Sequence, residues 1–346
     1  MSERRPSAVF VTGGTGFVGS AVVRLLCERG DDVHVLARSA AAREGLAACT
    51  LTWHEGDLDQ PSSLPRAVRA AADSARALGR PLDVVHCGAR ISYKSRDAAS
   101  LQRTNVEGTR GVLAACREVG VRRLCHVSSV VALGAVPDAD SFLDDDAPLA
   151  GLRLESGYVR TKAQAEELVH AASAELDAVV ASPAVVFGAS VRGSNSLAFL
   201  QHALRGTLGP FSPPGSLSVV GLADAAEGIV LALDRGTRGR RYLLAESAWR
   251  LHDLLALARR GAARRGPWAT LGASSWRLLV AASRWCDRVV PAERATPEAL
   301  RLLGLHFRFR ARRARAELGW SPAPIAQVLL ATLAQMKRPM NGGVKR

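Results

Sequence analysis

Ala8-Val-Phe-Val-Thr-Gly-Gly-Thr-Gly-Phe-Val-Gly19 is the stretch that decides the fold of this chain. Its apolar run, Ala8 to Val11, reads as a buried parallel strand. Glycines follow, and then Ser20 to Arg29, whose apolar residues recur at helical spacing. Gly13, Gly16 and Gly19 therefore form G-x-x-G-x-x-G at a strand-to-helix junction. Glycine permits the tight turn, a close backbone approach to a pyrophosphate, and tight packing of helix on strand. The helix start offers free N–H groups and the positive end of its dipole to phosphates. A glycine triplet alone is only a tight turn. Set between a strand and a helix, it implies dinucleotide binding.

The same alternation continues along the chain. Asp32–Ala37 reads as a second strand and Leu51–Glu55 as a third, running into Gly56-Asp57-Leu58. Ser62–Leu78 reads as a helix, and Pro81–Cys87 as a fourth strand ending at Gly88-Ala89. Leu101–Val119 is another helix, Arg123–Val127 a fifth strand stopping at Ser128-Ser129, Gly157–Leu176 a helix, and Ala178–Phe187 a sixth strand region. Past Gly188 the alternation loosens, with returns to the sheet near Leu217–Val220 and at Arg240–Ala245. The pattern predicts an α/β fold: a Rossmann-type doubly wound parallel sheet with a smaller, mostly C-terminal substrate-binding portion, its ligands at the C-terminal strand ends. Residues 1–187 form the dinucleotide-binding part, with 216–234 and about 240–246 returning to it. Residues 188–215 and 247–330 form the substrate-binding part, and 331–346 a helix end and tail.

Two details bear on chemistry. No carboxylate occupies positions 36–39, and Arg38 follows the second strand. An acidic residue there would hold the ribose hydroxyls of NAD, whereas an arginine suits the 2′-phosphate of NADP, so NADP(H) is favoured with NAD(H) possible. Tyr158 and Lys162, four apart on a helix, share one face in a chain with only three tyrosines and four lysines. An amine beside a phenol favours phenolate, lowers the phenol's pKa, and equips it to exchange a proton with a carbonyl or alcohol oxygen. A strand-end hydroxyl, Ser128 or Ser129, would hydrogen-bond the same oxygen.

Composition narrows the class. The 346 residues are 48% hydrophobic and 23% charged, as in a globular protein. No apolar run reaches the length of a membrane span; even 276–291 is interrupted by arginines. After Met1-Ser-Glu-Arg-Arg-Pro6 comes the glycine turn rather than an apolar leader, which argues against secretion. Six cysteines (Cys27, Cys49, Cys87, Cys116, Cys125, Cys286) are scattered without a C-x-x-C pair, arguing against disulfides or a metal site and for a reducing cytoplasm. Residues 235–346 hold 23 basic and only 6 acidic side chains. Sparse aromatic interleaving argues against nucleic acid as the partner, and arginines at 192, 205, 264 and 265 read as water-facing.

Together these motifs resemble the extended short-chain dehydrogenases/reductases. The resemblance covers Val9 to about Pro322. It rests on Thr12–Gly19, Gly56-Asp57-Leu58, Asn105-Val-Glu-Gly-Thr109, Val127-Ser-Ser129, Tyr158-Val-Arg-Thr-Lys162, Ser182-Pro-Ala-Val-Val-Phe-Gly188 and Glu317-Leu-Gly-Trp320. It implies Tyr158 as acid/base, and Lys162 as holder of the nicotinamide ribose and tuner of Tyr158. Spacing to Gly134 makes Ser129 the polarising serine, with Ser128 a near second. Cofactor contacts are implied at Thr12, Gly13, Gly16, Phe17, Val18, Gly19, Arg38, Asp57, Leu58, Ala89, Ser128, Pro183 and Ala184, and no metal. The chain is most similar to the dihydroflavonol-reductase-like and 3β-hydroxysteroid-dehydrogenase-like branch. Ser129 is followed by Val130-Val131-Ala132, without the polar groups of sugar-nucleotide dehydratases and epimerases, which implies a less polar carbonyl or alcohol substrate. A homodimer through the helices at 101–119 and 157–176 is implied as well. Two alternatives stay open: an epimerase that retains NAD, and a non-catalytic nucleotide-sensing or scaffold protein.

Overall fold

Seven parallel strands make the central sheet of the computed structural model, which describes residues 7–39, 45–189, 200–201, 210–289 and 296–337. For Pro61, 284–289, Met336 and Lys337 only the backbone is described, and positions 192, 205 and 338–346 lie outside the described residues. The strands are β1 (Ala8–Thr12), β2 (Asp32–Ala37), β3 (Thr52–Glu55), β4 (Leu82–His86), β5 (Arg123–Val127), β6 (Ala178–Pro183) and, after three further strands, β10 (Arg241–Leu244). Their spatial order is β3-β2-β1-β4-β5-β6-β10. The chain reverses direction of winding between β1 and β4, and a doubly wound sheet binds its ligand in the crevice at that switch.

Alternate residues on each strand feed two cores. Val9, Val11, Val35, Val85, Val127 and Val179 face α1 (Phe17–Glu28) and α6 (Leu222–Arg235). Phe10, Val84, Leu124 and Val180 face α2 (Leu64–Ala77), α4 (Gly108–Val119) and α5 (Gly157–Ala172). Burial on both faces explains why the strands read as continuous apolar runs rather than alternating ones.

Three departures from the sequence expectation have physical causes. The helix expected at Leu101–Val119 begins earlier, as α3 (Ala98–Leu101), and passes through a π-helical turn, Gln102–Glu107, before α4. There the Asn105 amide is occupied tertiarily: Oδ1 accepts from Arg90 N at 2.7 Å, and Nδ2 donates to Arg90 O and Thr161 Oγ1. The sixth strand region splits at Ala184. β7 (Val185–Phe187) leaves the central sheet and pairs with β9 (Ser216–Gly221). Leu217–Val220 therefore joins a second, four-stranded sheet with β11 (Ser247–Arg250) and β13 (His306–Phe307), not the central one. That sheet packs through Phe187 and Val219 on α7 (Leu251–Gly261) and Ile325–Lys337. The C-terminal Glu317-Leu-Gly-Trp320 segment is a clasp. Trp320 Nε1 donates to Asp224 O at 2.8 Å, and Glu317 accepts from the Tyr242 hydroxyl.

Candidate active site

The glycine turn is shaped by what lies beside it. Gly13 has φ +67°, and a Cβ there would lie 2.5 Å from Gly88 Cα in the loop after β4. A Cβ on Gly19 would lie 2.2 Å from Gly13 O, so the turn closes directly on the helix start. No side chain caps α1, and no acidic residue stands in its first turn. The positive end of the dipole thus faces the crevice uncompensated, which fits a pyrophosphate. Gly13→Ala is expected to cost about 2 kcal/mol of stability from the left-handed backbone alone, and more from the clash. Urea unfolding and a dinucleotide titration would both register it.

Around this turn the strand ends on the α2/α4/α5 side become polar. Thr12 Oγ1 and His86 Nδ1 are 2.6 Å apart, His86 Nε2 and Thr109 Oγ1 3.0 Å, and the Thr109 hydroxyl donates to Asn105 O at 2.6 Å. Because Thr109 spends its proton on Asn105, its oxygen must accept from His86 Nε2–H. His86 Nδ1 then accepts from Thr12. Burial, reinforced by the Lys162 charge, lowers His86 to about 3, so it stays neutral and the chain of donors is fixed. His126, opposite His86 on β5, is also buried and held far below its ordinary pKa by burial and the same charge. Neither of its ring nitrogens has a hydrogen-bond partner among the described residues.

Tyr158 enters on the first turn of α5, where the Ser156 hydroxyl caps Val159 N at 3.3 Å. Its ring is buried and meets Tyr93 edge-on at 5.8 Å between centroids. Ser129, half-buried, lies beside the Tyr158 hydroxyl and opposes part of the rise in its pKa. Ser128 turns inward instead, and its hydroxyl donates to Glu166. The structure thus separates the two serines that spacing left adjacent. Lys162, one turn below Tyr158, is buried and donates from Nζ to Val127 O at 2.7 Å. Glu166, another turn along, is fully buried and accepts from Ser128 and the Arg241 guanidinium.

These surroundings correct one electrostatic expectation. Tyr158 is not lowered: burial pushes it up to about 12, opposed only by the Ser129 hydroxyl. Burial also lowers Lys162 to about 8, against the attraction of Glu166. Burial alone would raise the Glu166 carboxyl, yet His170, Arg241 and Ser128 together hold it below its usual range.

The remaining expected cofactor contacts lie along the same strand ends. Phe17 and Val18 form the first turn of α1 beside Gly16. Arg38 is exposed just past β2, and Asp57 follows β3 with its Oδ1 accepting from Asp59 N. Leu58 is buried, and a Cβ on Gly88 would lie 2.4 Å from its Cδ1. Ala89 is exposed in the loop after β4, while Pro183 ends β6 and Ala184 N donates to Leu244 O. Sequence reasoning missed Tyr93, His86, Glu166 and Arg241. Glu166 had a readable signal, since it continues the four-residue spacing of Tyr158 and Lys162. Arg241 comes from a strand 75 residues away and had none. Among the described residues no group of three or more His, Cys, Asp or Glu is arranged to hold a metal.

A doubly wound sheet, an uncapped glycine turn at its switch point and a Ser–Tyr–Lys set define the class as NAD(P)-dependent enzymes of the extended short-chain dehydrogenase/reductase type. The chain belongs to the NAD dependent epimerase/dehydratase family, whose model matches residues 9–245. It is 32% identical over 335 residues to the 4-hydroxy-2-methyl-3-oxo-4-farnesyl-3,4-dihydroquinoline-1-oxide ketoreductase of Stigmatella aurantiaca, covering 90% of this chain and 91% of that one. It is 32% identical over 243 residues to sterol demethylase protein B of Methylococcus capsulatus, covering 68% of each. The crystal structure of gox2253 superposes with a TM-score of 0.81 at 29% identity, covering 96% of this chain and 98% of that one.

Proposed function

We propose that this protein is an NADP(H)-dependent reductase that interconverts a ketone or aldehyde and an alcohol on an apolar small molecule. The observation that carries the reading is the meeting of the Tyr158 and Ser129 hydroxyls on the polar side of the strand ends. A nicotinamide dinucleotide bound along the crevice supplies the hydride. Thr12, Gly13, Gly16, Phe17, Val18 and Gly19 would hold its pyrophosphate, Asp57 and Leu58 its adenine, and Ala89, Ser128, Pro183 and Ala184 its nicotinamide end. Ser129 donates a hydrogen bond to the substrate oxygen, and Tyr158 gives that oxygen its proton as charge builds there. Lys162 holds the nicotinamide ribose and, while charged, steadies the phenolate that Tyr158 becomes. Glu166 is a positioning group that keeps Ser128 and Arg241 in place.

Arg38 supports NADP(H), being exposed where a 2′-phosphate would lie and without a competing carboxylate at 36–39. Arg38→Asp is expected to weaken NADPH binding at least tenfold and to tighten NADH. Tighter NADH than NADPH on the wild type would remove the argument. Val131, two residues past Ser129, and the Tyr93 ring edge-on to Tyr158 support an apolar substrate. So do relatives whose names carry a farnesyl quinoline and a sterol. The reading includes a reducing cytoplasm, in keeping with free thiols at Cys27, Cys49, Cys87, Cys116 and Cys125, and a homodimer through α4 and α5. NADPH consumption on a panel of apolar ketones tests it. Co-purified NAD with no net NADPH consumption would favour epimerisation.

A further inference from the structure

Residues 254–286 contain six arginines, three of the chain's six tryptophans, and no Asp or Glu. The fold turns part of this segment outward. Trp268 precedes a short strand, β12 (Ala269–Thr270), paired with β8 (Phe211–Ser212); its ring meets Phe211 edge-on at 6.3 Å. Trp268 is 76% exposed and Phe211 43%. Next comes α8 (Ala273–Val289), anchored on one face by buried Trp276 and Val280, with Trp276 Nε1 donating to Leu300 O at 3.0 Å. Its other face carries exposed apolar side chains among Ser274, Ser275 and Arg277: Leu278 is 72% exposed and Leu279 40%, with Ala281 and Ala282 exposed beside them. Arg260, Arg264, Arg265 and Arg277 are all exposed.

We propose that this surface docks onto an anionic phospholipid bilayer, with α8 lying in the plane of the headgroups. Exposed Trp and Leu match the interfacial zone, where apolar bodies sink below the headgroups. The arginines match anionic headgroups, and the one carboxylate on α8, Asp287, sits in its last turn between Arg284 and Arg288. Charge also decides the occupant. A second copy meeting this patch about a twofold axis would bring its own arginines against these. No helix of the described residues is long and apolar enough to cross a membrane, so the contact is interfacial. The patch adjoins the candidate site through α9 (Pro297–Leu303), which supplies Leu300 to Trp276 and Glu298 to the Ser156 hydroxyl at 2.5 Å, two residues before Tyr158. An apolar substrate dissolved in lipid would be delivered there, but the docking itself does not depend on the reductase reading.

Co-sedimentation of the full chain with vesicles tests the proposal. Adding about 30 mol% phosphatidylglycerol to phosphatidylcholine is expected to raise the bound fraction at least tenfold, and about 0.5 M salt to reverse most of the gain. The double variant Leu278→Glu/Leu279→Glu should bind at least tenfold less, with unchanged melting temperature and NADPH affinity. Arg264→Gln/Arg265→Gln/Arg277→Gln should abolish the dependence on phosphatidylglycerol. The proposal is overturned if the wild type ignores these vesicles, or if the leucine variant binds them as well as wild type does. It is equally overturned if that variant changes only the oligomeric state, which would assign the patch to a second copy, or if single-stranded RNA binds the patch in preference to vesicles. NADPH affinity is read separately, so failure here leaves the reductase reading standing.

Discussion

Tyr158→Phe should lower kcat by about 10³-fold, while the Kd for NADPH changes by less than about threefold. The substitution removes one oxygen and leaves the buried ring, its edge-on contact with Tyr93 and the α5 backbone in place. In the proposed mechanism what disappears is the proton donor. Burial raises Tyr158 to about 12, so in the free enzyme the phenol keeps its proton throughout the neutral range. It is therefore ready to give a proton, the direction that carbonyl reduction needs. Alcohol oxidation needs the phenolate, and its rate should climb with pH across the alkaline range while reduction stays flat. Full turnover by the Phe variant in single-turnover assays would remove Tyr158 from the mechanism.

Lys162→Met should separate activity from stability. Turnover is expected to fall by at least about 10²-fold, yet the melting temperature should rise by about 5 °C. Lys162 is buried, and burial lowers it from 10.5 to about 8. At about 1.4 kcal/mol per pKa unit, holding the charged amine inside costs on the order of 3 kcal/mol at neutral pH. The folded pKa lies below the unfolded one, so between about 8 and 10.5 the unfolded chain binds the extra proton. The penalty is complete below pH 8 and gone above 10.5, and stability rises with pH through that window. The stability of wild type relative to Lys162→Met should therefore rise from pH 7 to 10, since the buried thiols titrate alike in both. Calorimetry at several pH values decides; a lower melting temperature for the variant, with the same pH dependence as wild type, contradicts the argument.

Such a cost makes sense at a working site. Lys162, Glu166, His86 and His126 are buried titratable groups in a layer that apolar residues would fill more cheaply. His86 is fully partnered and its tautomer settled by Thr109, whereas among the described residues His126 lacks partners for both nitrogens. The fold tolerates an expensive polar layer at the one edge where the crevice opens.

Much of this was legible in the sequence because it depends on local backbone chemistry. The strand–glycine–helix unit at Ala8–Glu28 reads from apolar spacing and from residues that only a tight turn needs. The uninterrupted apolar strands announced a sheet buried on both faces. The Tyr158–Lys162 spacing placed both side chains on one helix face. The break at Ala184 was not legible, because β6 and β7 are equally apolar and only their pairing partners, β10 and β9, separate them.

What the sequence determined by itself was therefore the doubly wound fold and the crevice for a dinucleotide, since local apolar and glycine spacing specifies both, and it singled out Ser129, Tyr158 and Lys162 as candidates. Tertiary structure decided that Ser128, the near alternative to the Ser129 that spacing to Gly134 favours, is tied inward to Glu166. It also decided that burial outweighs the neighbouring amine in setting the Tyr158 pKa, and that Arg241 reaches the core of the site from 75 residues away. The reason is physical: hydrogen-bond partners and desolvation depend on which side chains meet in space, and a one-dimensional pattern carries neither quantity.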